Sequence, residues 1–136
     1  MLLPSEIESK WMIPAVRSII AQQLVKRYEF NQTDVAQVLG VTQAAIYHYM
    51  NGNRGNNSVV RKLRQNKQIM LMIDDITKNL NDNQHFTPYC MSRYIELFNY
   101  ARRSLFICKI HKSFQKDIDN QLCKTCESFI LQVVQF

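Results

Sequence analysis

Four side chains near the C-terminus have the types and spacing of a metal site. Cys108 and His111 form C-x2-H, Cys123 and Cys126 form C-x2-C, and together they read C-x2-H-x11-C-x2-C. A two-residue spacer lets both donors of one turn converge on a single ion, and two such pairs supply the donor set of tetrahedral zinc. Cys90 is a fifth candidate ligand, so an iron–sulfur cluster held by Cys90, Cys108, Cys123 and Cys126 is the alternative. Against both stands a simpler reading, in which Cys90 packs as a small hydrophobe and the other donors carry no metal. In a reducing compartment, thiols or metal ligands are expected in preference to disulfides.

A second set of residues has the chemistry of nucleic-acid recognition. The chain carries 17 basic and 11 acidic residues, a net charge of +6, but no acidic side chain falls between Asp34 and Asp74. That stretch holds Arg54, Arg61, Lys62, Arg64 and Lys67, enough positive charge to displace counterions from a polyphosphate. A solvated basic helix face would look the same, so charge alone does not decide. Within the acid-free stretch lie Thr42, Gln43, Ala44, Tyr47 and His48, short polar, apolar and aromatic side chains of the kind that read base edges in a major groove. Gln43 suits a bidentate bond to adenine, and Ala44 a thymine methyl. Gln32, Thr33, Asn53 and Arg54 are placed for phosphate contacts on either side.

Helices must position these residues. Apolar residues make up 46% of the 136-residue chain, against three glycines and three prolines, a balance that favours an ordered all-α fold. An apolar stripe over residues 5–28 includes Ile7, Trp11, Val16, Ile19, Ile20 and Leu24, and Pro14 is expected to start a second helix within it. Residues 32–39 and 42–50 read as two short helices. Gly40 supplies the turn, Val41 a buried anchor, Thr42 the N-cap and Asn51-Gly52 the stop. Ser58 is expected to cap one helix over residues 58–80. Residues 81–84 read as a linker, and Pro88 opens a further helix over residues 89–107. The expected organisation is a helix-turn-helix DNA-binding domain of about five helices over residues 1–80, followed by a small helical Cys/His-rich extension over residues 81–136 that serves metal binding or dimerisation.

The string QTDVAQVLGVTQAAIYHYMNGNRG, residues 32–55, resembles the helix-turn-helix of Cro and repressor-like (XRE-type) regulators. Taken from Leu2, LLPSEIESKWMIPAVRSIIAQQLVKRYEFNQTDVAQVLGVTQAAIYHYMNGNRG is similar to the N-terminal domain of a group of archaeal predicted transcriptional regulators. The resemblance implies double-stranded DNA as partner, and cysteine pairs with a C-x-x-H element after the DNA-binding domain. CKIH fits that pattern. Ser5 departs from it, standing where the family's PCE element has cysteine, and so does Arg93, standing where a partner to Cys90 is expected.

The expected function is a sequence-specific transcriptional regulator, dimeric because one helix-turn-helix reads only a few base pairs, and metal- or redox-responsive through its C-terminal cysteines. The alternative is a metal-stapled interaction module of the transcription machinery. No glycine-rich phosphate loop, HExxH, catalytic acid pair or nucleophile elbow occurs, so no enzymatic activity is expected. The absence of a long apolar span and of a basic-then-apolar leader gives the expectation of a cytoplasmic protein with no membrane partner.

Overall fold

The computed structural model describes residues 1–52 and 54–133, and among these residues every regular element is a helix. The order is α1 (Pro4–Ile7), a π-helical segment (Glu8–Met12), α2 (Ile13–Tyr28), α3 (Gln32–Leu39), α4 (Gln43–Met50), α5 (Asn57–Gln65), α6 (Lys67–Asn83), α7 (Pro88–Arg103), α8 (Phe106–Phe114) and α9 (Asn120–Val133). The all-α expectation holds.

Pro14 lies in the first turn of α2, yet the chain does not leave the helical path before it. Glu8–Met12 widens instead into a π turn, in which the Ile13 N–H donates to the Glu8 carbonyl five residues back. One extra residue in the turn relieves the crowding that a proline ring imposes on the preceding carbonyls, so no separate helix start is needed. Beyond this point Ala15, Val16, Ser18, Ile19, Ile20, Ala21, Gln23 and Leu24 are all buried. They cover more than one face of α2, which makes it the central helix, with α3, α4, α5 and α6 packed around it. Buried Gln23 ties it to α6: its Nε2 donates to Asp74 Oδ1 at 2.7 Å, and its Oε1 accepts from the Thr77 hydroxyl at 2.7 Å. Both ends of the amide are satisfied, which avoids the penalty of a buried orphan polar group.

The α3–α4 pair has the boundaries that its sequence predicts. The Asn31 side chain caps α3 by accepting from the Asp34 N–H at 2.8 Å, and Thr42 caps α4 by accepting from the Ala45 N–H at 3.0 Å. Between them Gly40 takes a φ of 66°, a left-handed backbone that a Cβ would strain. Val35, Ala36 and Val38 on α3, and Ala45, Ile46 and Tyr49 on α4, turn inward.

The following segment departs from expectation. Asn56, rather than Ser58, caps α5, accepting from the Ser58 and Val59 N–H groups. The single helix expected over residues 58–80 is two, because Asn66 leaves the helical region and caps α6 through the Ile69 N–H at 3.0 Å. Helix α6 continues through the expected linker to Asn83 and ends at Gln84, whose φ is 61°. The helix expected over residues 89–107 breaks at Leu105, with a φ of 60°, and resumes as α8. The expected division after residue 80 therefore falls within α6. Buried Cys90, Leu97, Ala101, Phe106, Ile107 and Ile110 belong to the same apolar core as Ile19, Ile46 and Ile76. Arg102 of α7 grips Glu8 of the π segment with Nε and Nη2, the latter at 2.7 Å. No helix among the described residues is long and apolar enough to cross a membrane.

Candidate functional site

Helix α4 has two faces. Ala45, Ile46 and Tyr49 bury its inner side against α2, which leaves Gln43, Ala44 and Tyr47 exposed, with Tyr47 at 54%, and His48 half-buried. The Tyr47 and His48 rings meet edge-on with centroids 5.6 Å apart. Gln43 is held across the turn by a bond from its Nε2 to Thr33 Oγ1 at 3.1 Å. An amide has two N–H donors and a carbonyl acceptor, so this bond leaves one donor and the acceptor available. Gln32 and Thr33 are exposed in the first turn of α3.

The loop after α4 is tightly placed. The Arg54 N–H donates to the His48 carbonyl at 3.2 Å, and the Arg54 side chain is exposed. Gly55 is buried with a φ of 76°, and a Cβ there would sit 2.9 Å from Ser18 Cβ and 3.2 Å from the Pro14 carbonyl. Its role as a backbone contact to α2 was not anticipated from sequence, since a glycine in a polar loop gives no sign of which helix it will touch. Asn53 lies outside the described residues.

Arg61 is exposed on α5, where Lys62 donates to Ser58 Oγ at 3.0 Å and Arg64 donates to Gln22 Oε1 at 3.0 Å. Among the described residues, none of Arg54, Arg61, Lys62, Arg64 and Lys67 forms an ion pair. Their charge is left uncompensated by nearby carboxylates, the condition under which it attracts external anions most strongly.

The C-terminal donors divide into two places. Cys108, His111, Cys123 and Cys126 line one cavity of about 270 Å³ between the N-terminal residues, α8 and α9, with walls that include Leu2, Ile118 and Leu122. Within it His111 Nε2 lies 3.2 Å from Gln115 Oε1. Burial, reinforced by Cys126 and Glu127, pushes the Cys108 thiol up to about 11, and burial followed by Cys123 raises that of Cys126. Both are therefore thiols at neutral pH. The four donors share a cavity, but among the described residues no three His, Cys, Asp or Glu side chains converge as a metal-holding group.

Cys90 is not brought to them. It is fully buried in the α6–α7 packing, with its Sγ 3.2 Å from Asn79 Oδ1. The four-cysteine iron–sulfur set would require Cys90 to leave that core. Arg93 binds Asp75 at 2.7 Å and Glu96 at 2.6 Å, so its place on α7 is that of an ion-pair residue.

No protein-family model, curated protein or solved structure matches the chain.

Proposed function

We propose that the chain is a sequence-specific DNA-binding transcriptional regulator that places α4 in the major groove. The observation that carries this reading is the outer face of α4. Gln43, Ala44 and Tyr47 project from a helix whose opposite side is locked into the core, and no acidic residue occurs between Asp34 and Asp74. A recognition helix needs that combination, because a rigid inner face fixes where the outer side chains meet base edges. Gln43, steadied by Thr33, presents one N–H and its carbonyl to adenine N7 and N6, and Ala44 meets a thymine methyl. Tyr47 and His48 extend the contact. Gln32, Thr33, Asn53, Arg54 and Arg61 hold phosphates and fix the register.

A homodimer on a partly palindromic site gives this reading a footprint long enough for specificity. Exposed Leu122, Phe129 and Leu131 on α9 supply apolar surface suited to such an interface. Zinc at Cys108, His111, Cys123 and Cys126 is the proposed cofactor. It would lower the thiol pKa values and fasten α8 to α9. The proposed location is cytoplasmic, with no catalytic activity.

Selection from a randomised duplex pool across a salt series tests the reading, with zinc and iron assayed on protein purified without chelator. Enrichment of a short inverted repeat, with affinity falling steeply as salt rises, is the expected result. Salt-sensitive binding with no enriched sequence would reduce the claim to general nucleic-acid binding. Absence of binding would favour a protein-interaction module.

A further inference from the structure

A second cavity, of about 590 Å³, opens between α2, the α3–α4 turn and α7. Val38, Leu39, Phe86, Met91 and Phe98 give it apolar walls, and no acidic side chain lines it. Its volume falls in the range of sites that enclose small organic ligands.

Polar side chains reach this cavity from Arg17 of α2, Gln37 of α3 and Tyr94 of α7, and from Gln84 and His85 between α6 and α7. Among the described residues Arg17 has no ion-pair partner. Burial keeps the Tyr94 hydroxyl protonated far into the alkaline range, and the charge of Arg17, on the wall of the same cavity, works against that shift. A guanidinium and a neutral phenol on the walls of one cavity match a planar monoanion: the guanidinium fork takes both oxygens of a carboxylate, and the phenol donates a further bond.

The cavity also touches the element that carries the proposed recognition surface. Val38, Leu39 and Gly40 belong to the end of α3 and to its turn into α4. A ligand that bridges them to α7 favours one placement of the rigid α3–α4 pair relative to α7 over others.

We propose that this cavity binds an amphipathic monocarboxylate with an aromatic or aliphatic body, and that its occupancy changes DNA affinity. The carboxylate sits on Arg17 and the Tyr94 hydroxyl, and the apolar body lies against Phe98 and Met91. The binding half of the proposal stands on the cavity alone. The coupling half rests on the reading of α4 given above.

Isothermal titration calorimetry of the full chain with phenylacetate, 4-phenylbutyrate and octanoate, each beside its primary amide, tests the binding half. At least one acid should bind at a single saturable site about tenfold or more tighter than its amide, as a charge-assisted bidentate bond implies. Arg17→Gln should erase that preference. Met91→Trp, which fills the cavity from an exposed position (Met91 is 52% exposed), should abolish binding of acid and amide together while the chain keeps its helical circular dichroism. No saturable binding by any acid, or equal binding of acid and amide, overturns the site. A selected duplex titrated with and without saturating acid then tests coupling, where a shift in Kd of about fivefold or more is expected. An unchanged Kd overturns the coupling but leaves DNA binding intact. Acid binding with no duplex binding overturns the reading of α4 and the coupling with it, while leaving the cavity's ligand in place.

Discussion

Helices α3 and α4 are fixed at their N-termini by the side chains of Asn31 and Thr42, at their junction by Gly40, and along their inner faces by Val35, Ile46 and Tyr49. Helix α9 is held differently. It packs on α7, begins where Asp119 Oδ1 accepts from the Gln121 N–H at 2.7 Å, and keeps Leu122, Phe129 and Leu131 exposed. The α3–α4 pair thus draws its rigidity from the protein's own core. Helix α8 shares that core through Phe106, Ile107 and Ile110, whereas α9 leaves apolar surface uncovered and so draws less of its order from it. The proposed reading of α4 needs a preformed surface, and the proposed response through the C-terminal cysteines suits a less stable part of the fold.

Replacing buried Ile46 should sharpen this contrast most. Ile46→Ala removes a fully buried side chain between α4 and α2 and should cost about 2–5 kcal/mol in urea unfolding. Gly55→Ala comes next, at roughly 1–3 kcal/mol, because the new Cβ meets Ser18 and the Pro14 carbonyl in a left-handed backbone. Thr42→Ala, which deletes the α4 cap, should cost about 1 kcal/mol. At the other end, Leu122→Ala and Phe129→Ala should change monomer stability by less than about 0.5 kcal/mol. A loss at Phe129 as large as at Ile46 would break the comparison.

The packing of α7 on α6 offers a pH test. The Tyr89 hydroxyl and then the Arg93 guanidinium hold the Asp75 carboxyl below its ordinary value of 3.8, against the opposing effect of burial. A folded-state pKa lower than the unfolded one makes a contribution that is present above the unfolded value and lost as pH falls through the folded one. Tyr89→Phe should therefore lower stability at pH 7 and flatten the acid limb of a pH–stability curve. The effect should be small because both groups are solvent-accessible.

Local chemistry made part of this legible. Gly40 and Thr42 announce a turn and a cap within a few residues, and the bounds of α3 and α4 follow from them. The same reasoning misplaced the α5 cap because Asn56 and Ser58 are both good cap residues two positions apart. Asn66 hid the break between α5 and α6, since the apolar stripe from Leu63 to Ile69 runs through it. Leu105 in a left-handed conformation carries no sequence sign at all, as leucine ordinarily favours a continuing helix. At the C-terminus, spacing grouped Cys108, His111, Cys123 and Cys126, which do share a cavity, but it could not reveal that the packing of α6 on α7 removes Cys90. That Arg17 and Tyr94 line one cavity is purely tertiary, and no local pattern encodes it.

The most direct test of the reading of α4 is fluorescence-anisotropy titration of a selected duplex and a scrambled one with the wild-type chain, Gln43→Ala and Arg54→Gln over a salt series. The expected result is a loss of about 1–3 kcal/mol of discrimination in Gln43→Ala with the salt slope unchanged. Arg54→Gln should instead weaken both duplexes alike and reduce the slope by about 0.9. Equal affinity for both duplexes in the wild-type chain, or discrimination untouched by Gln43→Ala, would contradict the account.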